Sequence, residues 1–345
     1  MPFPAPYPTL LGSDIKMEQA LEAALWDTHT SFPLFGDIPH VALSIAAVEG
    51  PDDFRHAGID FGRTYYSASV LKVVIPYCAY QLRIAVEDVG NAAGATDGAT
   101  AYAAARLVID PLAASAVPAI AAAGIPVAMQ VPKYEQIFAI IPTVGGGISV
   151  NINAGFETLM RRALIESSNE AAAICIKHLG YGWINGALAA GGFFLPPTQG
   201  IWLCGTFDGS RPSVPVESVN DGQVAQATTT FDMANLYANV LRGSLVDSSA
   251  SSDIDQLLRN TASGPEPSWM DGTRRDTGSS DFTVTHTKIG VGPLKTGKSV
   301  FSEASVIVPN GETKQFIVMW QNAFETDLRS MSFLVERTVR HYLEG

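Results

Sequence analysis

The stretch YYSASVLKVVIPY, residues 65–77, is the part of the sequence from which the rest of the chain can be interpreted. Its polar start passes into an apolar run that predicts a helix, with Ser69 and Lys72 at the transition. Positions i and i+3 share one face of a helix, so the Lys72 amine is expected beside the Ser69 hydroxyl. The pair therefore has the composition of a nucleophile and its base.

A serine hydroxyl is a weak nucleophile unless an adjacent base takes its proton. Lys72 can be that base only if its pKa is lowered, and burial among the neighbouring apolar residues would lower it. If Ser69 opens the helix, the positive end of the helix dipole also favours negative charge on its oxygen. An ordinary N-cap serine followed by a solvated lysine would give the same pattern, so S-x-x-K alone does not decide the matter.

Length and composition indicate a protein with a large hydrophobic core. The chain has 345 residues, of which 47% are hydrophobic, enough for one large domain or two modest ones. Its formal net charge of -12 argues against a nucleic-acid or anionic-membrane surface, since both need clustered lysine and arginine. Cys78, Cys175 and Cys204 suggest neither a disulfide framework nor a metal cluster, and neither a cofactor nor a metal is expected. The first two are predicted to be buried, inert thiols.

The first eight residues, MPFPAPYP, are proline-rich and lack the basic region and apolar segment of a signal peptide. This pattern predicts a cytoplasmic protein, or a periplasmic or secreted one if a leader was removed before Met1. No apolar run is expected to reach the length of a membrane span.

Hydrophobic periodicity predicts strands near both chain ends and helices between them. The predicted strands are 40–48, 54–59, 282–291, 300–308 and 315–321, and the predicted helices are 14–26, 156–166, 169–179, 231–241, 249–260 and 327–343. Pro76 is expected to bend the helix that follows Ser69. The Ala-rich residues 91–130 are interpreted as one or two small-residue helices in an insertion, a flap and not a separate domain, and 191–227 as a long ordered loop.

Together these elements predict an α/β protein, an α+β sandwich that forms a single domain over residues 1–345. Its antiparallel sheet would use residues of about 14–66 and 261–345. A helical part of about 67–260 would carry the Ala-rich insertion of about 91–130.

Two further polar clusters follow the first in sequence order. Ser167-Ser168-Asn169 lies between two predicted helices, and a Lys-x-Gly lies on a late strand. With S-x-x-K, S-x-N and K-x-G in this order, the chain resembles the serine β-lactamase and penicillin-binding protein superfamily, and most closely its class A β-lactamase-like branch. The resemblance covers most of residues 40–343 apart from the Ala-rich insertion, and implies a β-lactamase/transpeptidase-like fold.

The resemblance implies a role for each residue of the first two motifs. Ser69 would be the acylated nucleophile and Lys72 its proton acceptor. Ser167 would relay the proton to the leaving group, and Asn169 would hydrogen-bond the substrate amide and Lys72. A plain helix N-cap is the alternative for the Ser-Ser-Asn cluster, and it is compatible with catalysis.

Two segments compete for the third motif. Lys295-Thr296-Gly297 is the literal match and a candidate for substrate binding, but Pro293 before it cannot donate to an interior strand ladder. Its neighbours are typical of a hairpin turn.

The second segment, Lys288-Ile289-Gly290, lies in an alternating strand that would present the lysine to one face. We favour Lys288, and expect Gly290 to let a substrate lie close to the backbone. In this register the N–H groups of Ser69 and Val291 would form the oxyanion hole. Ile289, however, cannot supply the hydroxyl with which the family helps to bind a substrate carboxylate.

A second departure from the family concerns the loop before residue 228. Class A enzymes resemble one another there in an E-x-x-x-N pair that positions the deacylating water. Here Glu217-Ser218-Val219-Asn220 is one residue short, so Glu217 is either catalytic or a solvated loop residue. Glu166 is interpreted as a solvated helix-end carboxylate.

The leading hypothesis is an active-site serine hydrolase that forms an acyl-enzyme on a small-molecule or peptide-like amide, β-lactam or ester. A penicillin-binding D-Ala-D-Ala peptidase and an esterase remain open alternatives. A non-catalytic ligand-binding protein on the same fold is the alternative from another class.

Overall fold

The sheet at the centre of the chain joins strands from both chain ends. A computed structural model describes residues 2–32, 41–196, 199–275 and 281–345, without the side chains of 273–275. The strands are β1 Leu11–Ser13, β2 Ala42–Gly50, β3 Asp53–Ile59, β4 Phe138–Pro142, β5 Ile148–Ile152, β6 Phe194–Leu195, β7 Gln199–Gly200, β8 Trp202–Leu203, β9 Val216–Ser218, β10 Gly222–Val224, β11 Gln226–Ala227, β12 Phe282–Pro293, β13 Ser299–Pro309 and β14 Phe316–Ala323.

The helices lie mostly between the two groups of sheet strands. They are α1 Ile15–Ser31, α2 Val74–Ala92, α3 Gly98–Ser115, α4 Pro118–Ala122, α5 Val127–Gln130, α6 Tyr134–Ile137, α7 Ala154–Ile165, α8 Asn169–Leu179, α9 Tyr181–Ala190, α10 Thr230–Leu241, α11 Ser248–Ala262, α12 Trp269–Arg275 and α13 Leu328–Glu344. Two 3-10 helices cover Ala68–Val73 and Glu325–Asp327.

The main sheet has six strands in the order β1-β3-β2-β14-β13-β12. Its neighbours pair antiparallel, except that β1 runs parallel to β3. Strands from the C-terminal part thus lie beside the N-terminal hairpin of β2 and β3. The predicted α/β class, with an antiparallel sheet drawn from both chain ends, is confirmed.

Each face of the sheet is covered by helices. Met17 and Leu21 of α1 pack with Leu334 and Val335 of α13 against one face, around the buried Trp320. The opposite face joins the larger core that contains α2 and the other central helices. The first strand of the C-terminal hairpin, β12, also contacts the 3-10 helix Ala68–Val73, which brings the start of α2 to the sheet.

The helix that follows Ser69 differs from the predicted one at its start. A 3-10 helix, Ala68–Val73, leads into α2, and Pro76 lies in the first turn of α2. At this place the proline lacks the N–H that could donate to a carbonyl of the preceding turn. Pro76 therefore lies inside the helical run, as predicted, next to the change from 3-10 to α-helical geometry.

The continuous segment Ala68–Ala92 is long and apolar enough to cross a membrane, contrary to the expectation from sequence. However, 83% of its apolar window is buried inside the protein, as in a core helix. Within the described ranges this is the one helix with that length and composition.

The Ala-rich residues 91–130 form small-residue helices, as predicted, but these helices pack into the core and do not form a flap. Ala101, Ala105 and Ile109 of α3 are fully buried in the core that also contains α2. Small side chains allow the two helices to approach closely, so the alanines that suggested an insertion are core residues of the helical layer.

Helix α9 and the strands β6–β11 were missed in the sequence. Helix α9 contains Gly182 and Gly186, and a Cβ on Gly182 would collide with the backbone of Ala113. The glycines are therefore needed for α9 to pack closely against α3. The predicted start of β2 at His40 lies outside the described residues.

The three cysteines are buried and unpaired. Burial raises the pKa of Cys175 and of Cys204 to about 12, so neither thiol ionises near neutral pH. The prediction that Cys78 and Cys175 are buried, inert thiols is confirmed.

Candidate active site

The 3-10 helix Ala68–Val73 carries the candidate nucleophile. Side chains three residues apart eclipse one another in such a helix, so Ser69 and Lys72 lie on one side. Ala68 has a left-handed backbone with φ 48°, which turns the chain just before Ser69. The buried Ser67 donates to Gln321 Oε1 on β14 at 2.5 Å, and this bond fixes the helix start to the sheet.

Lys72 is fully buried, and its amine is held by the second motif. Its Nζ donates to Asn169 Oδ1 at 2.8 Å, to Ser167 Oγ at 3.3 Å and to the Ser167 carbonyl. Burial, and next the positive charge of Lys288, lower the pKa of Lys72 to about 7. A substantial fraction of this amine is therefore neutral near neutral pH and able to accept a proton.

The Ser-Ser-Asn cluster both caps a helix and faces the two lysines. Ser168 is the N-cap of α8 and accepts from the N–H of Ala171 at 3.2 Å. Ser167 has a left-handed backbone with φ 52°, and its hydroxyl lies between Lys72 and Lys288. The two interpretations of this cluster are thus compatible, because the capping bond uses Ser168 and leaves Ser167 for the site.

Lys288 lies on β12 and is fully buried. Its Nζ donates to Ser167 Oγ at 2.8 Å and lies 3.8 Å from Glu266 Oε2. Burial lowers the pKa of Lys288 to about 8, with Glu266 acting in the opposite direction. This lysine therefore remains largely charged at neutral pH beside the largely desolvated Lys72.

Gly290 brings β12 against the backbone of the 3-10 helix. A Cβ at this position would lie 2.5 Å from the Ser67 carbonyl oxygen and 3.0 Å from the Ser69 nitrogen. Glycine was expected to make room for a substrate, but the room is taken by the protein backbone. The next residue, Val291, is 45% exposed and lines a cleft together with Ser69 and Ile289.

The structure does not bring Lys295 to this cleft. The backbone N–H of Lys295 donates to Asp221 Oδ1 at 2.6 Å, and its Nζ donates to the carbonyls of Asp221 and Gln223 at 3.0 and 2.8 Å. Thr296 and Gly297 are exposed in the same turn between β12 and β13. Lys295 thus fastens the hairpin turn to β10 and the loop before it, and none of the three residues lines the cleft.

Glu217 and Asn220 do not act as a pair. Glu217 is exposed on β9 and accepts from Gln223 on the facing strand, and it does not line the cleft. Asn220 Oδ1 instead accepts from the N–H of Tyr66 at 2.9 Å, which positions the chain that leads into Ser69. Glu166 is an exposed helix-end residue beside Arg162, as expected.

The loop that was expected to supply a base places an aromatic ring over Lys72. The Phe207 ring centroid lies 4.9 Å from Lys72 Nζ, a distance at which ring and cation attract. The adjacent Asp208 accepts from the N–H of Ser210 at 3.0 Å and lies 3.4 Å from Lys177. Sequence reasoning missed Phe207, because no pattern predicts which side chain of an irregular loop covers a site.

The cleft has a volume of about 380 Å³. It is lined by Ser69, Ser167, Asn169, Pro265, Glu266, Pro267, Trp269, Ile289 and Val291. The segment 265–269 was also missed, since its Pro-Glu-Pro sequence is typical of any surface loop. Ser69 and the Ser167 hydroxyl line this cleft, and Ser167 bonds to the desolvated amine of Lys72 and to the second cation, Lys288. These are the groups that acyl transfer uses.

The described residues offer no metal site, and the sequence by itself matches no family model. Among the residues that the structure describes, no group of three or more His, Cys, Asp or Glu is placed to hold a metal ion. No protein-family model matches the chain, and no curated protein matches it.

Solved structures, by contrast, match nearly the whole chain. The TLA-3 extended-spectrum β-lactamase superimposes with a TM-score of 0.52 at 11% identity, covering 92% of this chain and 99% of its own. The β-lactamase from Desulfarculus baarsii DSM 2075 gives a TM-score of 0.52 at 14% identity, covering 95% of this chain and 98% of its own. At these identities the likeness shows the fold.

Proposed function

Because the chain has the fold of class A β-lactamases, we propose that it is an active-site serine hydrolase that forms an acyl-enzyme on Ser69. One observation carries the proposal. The buried amine of Lys72, with a pKa lowered to about 7, lies on the Ser69 side of its helix and is held by Ser167 and Asn169. A solvated surface lysine would have none of these features.

In the proposed reaction Ser69 Oγ attacks the acyl carbon of an amide, β-lactam or ester, and the neutral Lys72 amine accepts the hydroxyl proton. The N–H groups of Ser69 and Val291 would stabilise the negative charge that develops on the acyl oxygen. The proton then passes through Ser167 Oγ to the leaving group as the scissile bond breaks. Water finally attacks the acyl-enzyme, releases the acid and restores the Ser69 hydroxyl.

Covalent labelling tests this proposal directly. Incubation with a fluorophosphonate should add one phosphonyl group to the intact protein and release fluoride, as followed by intact mass spectrometry. Labelling should require the native fold and disappear after heat denaturation. A non-catalytic ligand-binding protein has no activated nucleophile, so failure of the native protein to label would favour that alternative.

If a penicillin acylates the protein, the acyl-enzyme is expected to persist much longer than the time in which it forms. A positioned general base contributes about 10²- to 10⁴-fold to a hydrolytic step, and the loop places Phe207 beside Lys72 in place of such a base. The acyl-enzyme should therefore accumulate as a burst of one equivalent, measured by intact mass spectrometry over time.

The Glu217→Gln variant is the companion to this measurement. Because Glu217 is exposed and bonded to Gln223, its replacement should leave the deacylation rate unchanged. Rapid multiple turnover of a penicillin that is lost in Glu217→Gln would instead give Glu217 the role of base.

A further inference from the structure

The Glu266 carboxylate lines the cleft and lies close to the buried cation Lys288. Glu266 Oε2 lies 3.8 Å from Lys288 Nζ, and the Glu266 side chain is 41% exposed toward the cleft that Ser69 also lines. Lys288 itself has no exposed surface. A substrate group that approaches Lys288 from the cleft therefore meets Glu266 as well.

Glu266 is held in this place by the backbone on both sides. Pro265 and Pro267 flank it, and a proline fixes its own φ and restricts the residue before it. Ser268 then donates to Glu303 Oε1 at 2.5 Å, and the N–H of Met270 donates to Glu303 Oε2 at 3.3 Å. The segment is thus fastened to the sheet immediately after Glu266.

Glu303 also fixes the strand that carries Lys288. This carboxyl group is completely buried on β13 and accepts from Thr287 Oγ1 at 2.9 Å. Thr287 precedes Lys288 on β12. The buried Glu303 carboxyl group therefore fixes both the segment that carries Glu266 and the strand that carries Lys288. The short distance between Glu266 and Lys288 follows from these two attachments.

The residue next to Lys288 offers no side-chain hydrogen-bond donor to an anion. Ile289 follows Lys288 and lines the cleft with an apolar side chain, where a hydroxyl would be needed to donate to a carboxylate. An incoming carboxylate would therefore face a cation paired with Glu266, a like charge at close range and no hydroxyl from residue 289. Like charges at close range are costly in a partly desolvated site.

We infer that the acyl donor of this protein has no carboxylate at the Lys288 end of the cleft, and that this end accepts a neutral or cationic group. The inference rests on the proposed serine hydrolase function and specifies its substrate class. Glu266 is the specificity-determining residue, and neutral or amine-bearing esters and amides are the favoured donors over anionic ones.

A matched pair of probes tests the inference: benzylpenicillin, which carries a free carboxylate, and benzylpenicillin methyl ester, in which the same carboxylate is masked. Each is added to the protein during fluorophosphonate labelling of Ser69, and the protection that it gives, covalent or reversible, is measured by intact mass spectrometry. The proteins are the wild type, Glu266→Gln and the exposed-site control Glu312→Gln.

In the wild type the methyl ester should protect at about tenfold lower concentration than the free acid, an order set by like-charge repulsion near a protein surface. Glu266→Gln should remove that preference through a gain in protection by the free acid, and Glu312→Gln should retain it. Three results would overturn the inference: equal protection by both probes in the wild type, no protection by either probe, or a preference that is unchanged in Glu266→Gln. If the fluorophosphonate still labels Ser69 in these cases, the proposed hydrolase function stands and only the inference about the substrate fails. If the fluorophosphonate does not label the protein, both the proposed function and the inference fail.

Discussion

Ser69→Ala is expected to abolish covalent labelling of the protein by a fluorophosphonate or a penicillin. The variant removes a single oxygen atom from a partly exposed side chain, and Ser69 is the one hydroxyl residue within the 3-10 helix Ala68–Val73. Its free energy of unfolding should therefore change by no more than about 0.5 kcal/mol, as is typical of substitutions outside the core. Intact mass spectrometry measures the first effect and thermal denaturation the second.

Ser67→Ala is the matched control for this variant. Ser67 is buried, and its hydroxyl donates to Gln321, so its loss should cost about 1 kcal/mol of stability. Labelling should persist, because Ser67 faces the sheet and not the cleft. An adduct mapped to Ser67 or Ser167 in the wild type would contradict the assignment of the nucleophile.

The fold could be predicted from the sequence wherever an element has a regular hydrophobic pattern. The strands of the C-terminal hairpin and the closing helix α13 alternate or repeat with a clear period, and their predicted bounds fall within a few residues of those observed. The helix α9 could not be predicted, because Gly182 indicates a turn until its close approach to α3 is known. Local patterns do not reveal which backbone a residue will meet in the folded chain.

The same distinction separates the residues of the candidate site. The resemblance of the three motifs to the family implied that Ser69, Ser167 and Lys288 would converge. In the structure Ser69 and Ser167 line one cleft, and the buried Lys288 donates to Ser167. Phe207 and Glu266 lie on irregular segments whose paths depend on distant anchors, such as the buried carboxyl of Glu303. Such residues become visible only when the fold is known.

Lys288→Ala is expected to slow acylation of Ser69 by about 10²- to 10³-fold, the loss typical for removal of one preorganised stabilising group. Lys288 Nζ donates to Ser167 Oγ at 2.8 Å, so its removal frees the hydroxyl proposed to carry the proton to the leaving group. Rates of labelling with a penicillin, measured by quenched-flow mass spectrometry, report this loss. Lys288→Met tests the same loss with less change in buried volume.

The pH dependence of acylation distinguishes an electrostatic role of Lys288 from simple disruption. In the wild type, acylation should increase with pH through about 7, the pKa of Lys72, because only the neutral amine accepts a proton. The positive charge of Lys288 disfavours the charged form of Lys72 and so contributes to this low pKa. Without it the pKa of Lys72 rises, less of the amine is neutral at a given pH, and the profile shifts to alkaline pH.

Lys288→Arg should preserve the position of that profile, since it keeps the charge. Lys295→Ala should change neither rate nor profile, because Lys295 bonds to carbonyls of Asp221 and Gln223 in the hairpin turn. A misfolded Lys288 variant would lose activity at every pH, whereas an electrostatic effect is partly recovered at high pH. If Lys295→Ala instead produced the slow, alkaline-shifted reaction, the third motif would belong to Lys295-Thr296-Gly297, and Thr296 would supply a hydroxyl for carboxylate recognition.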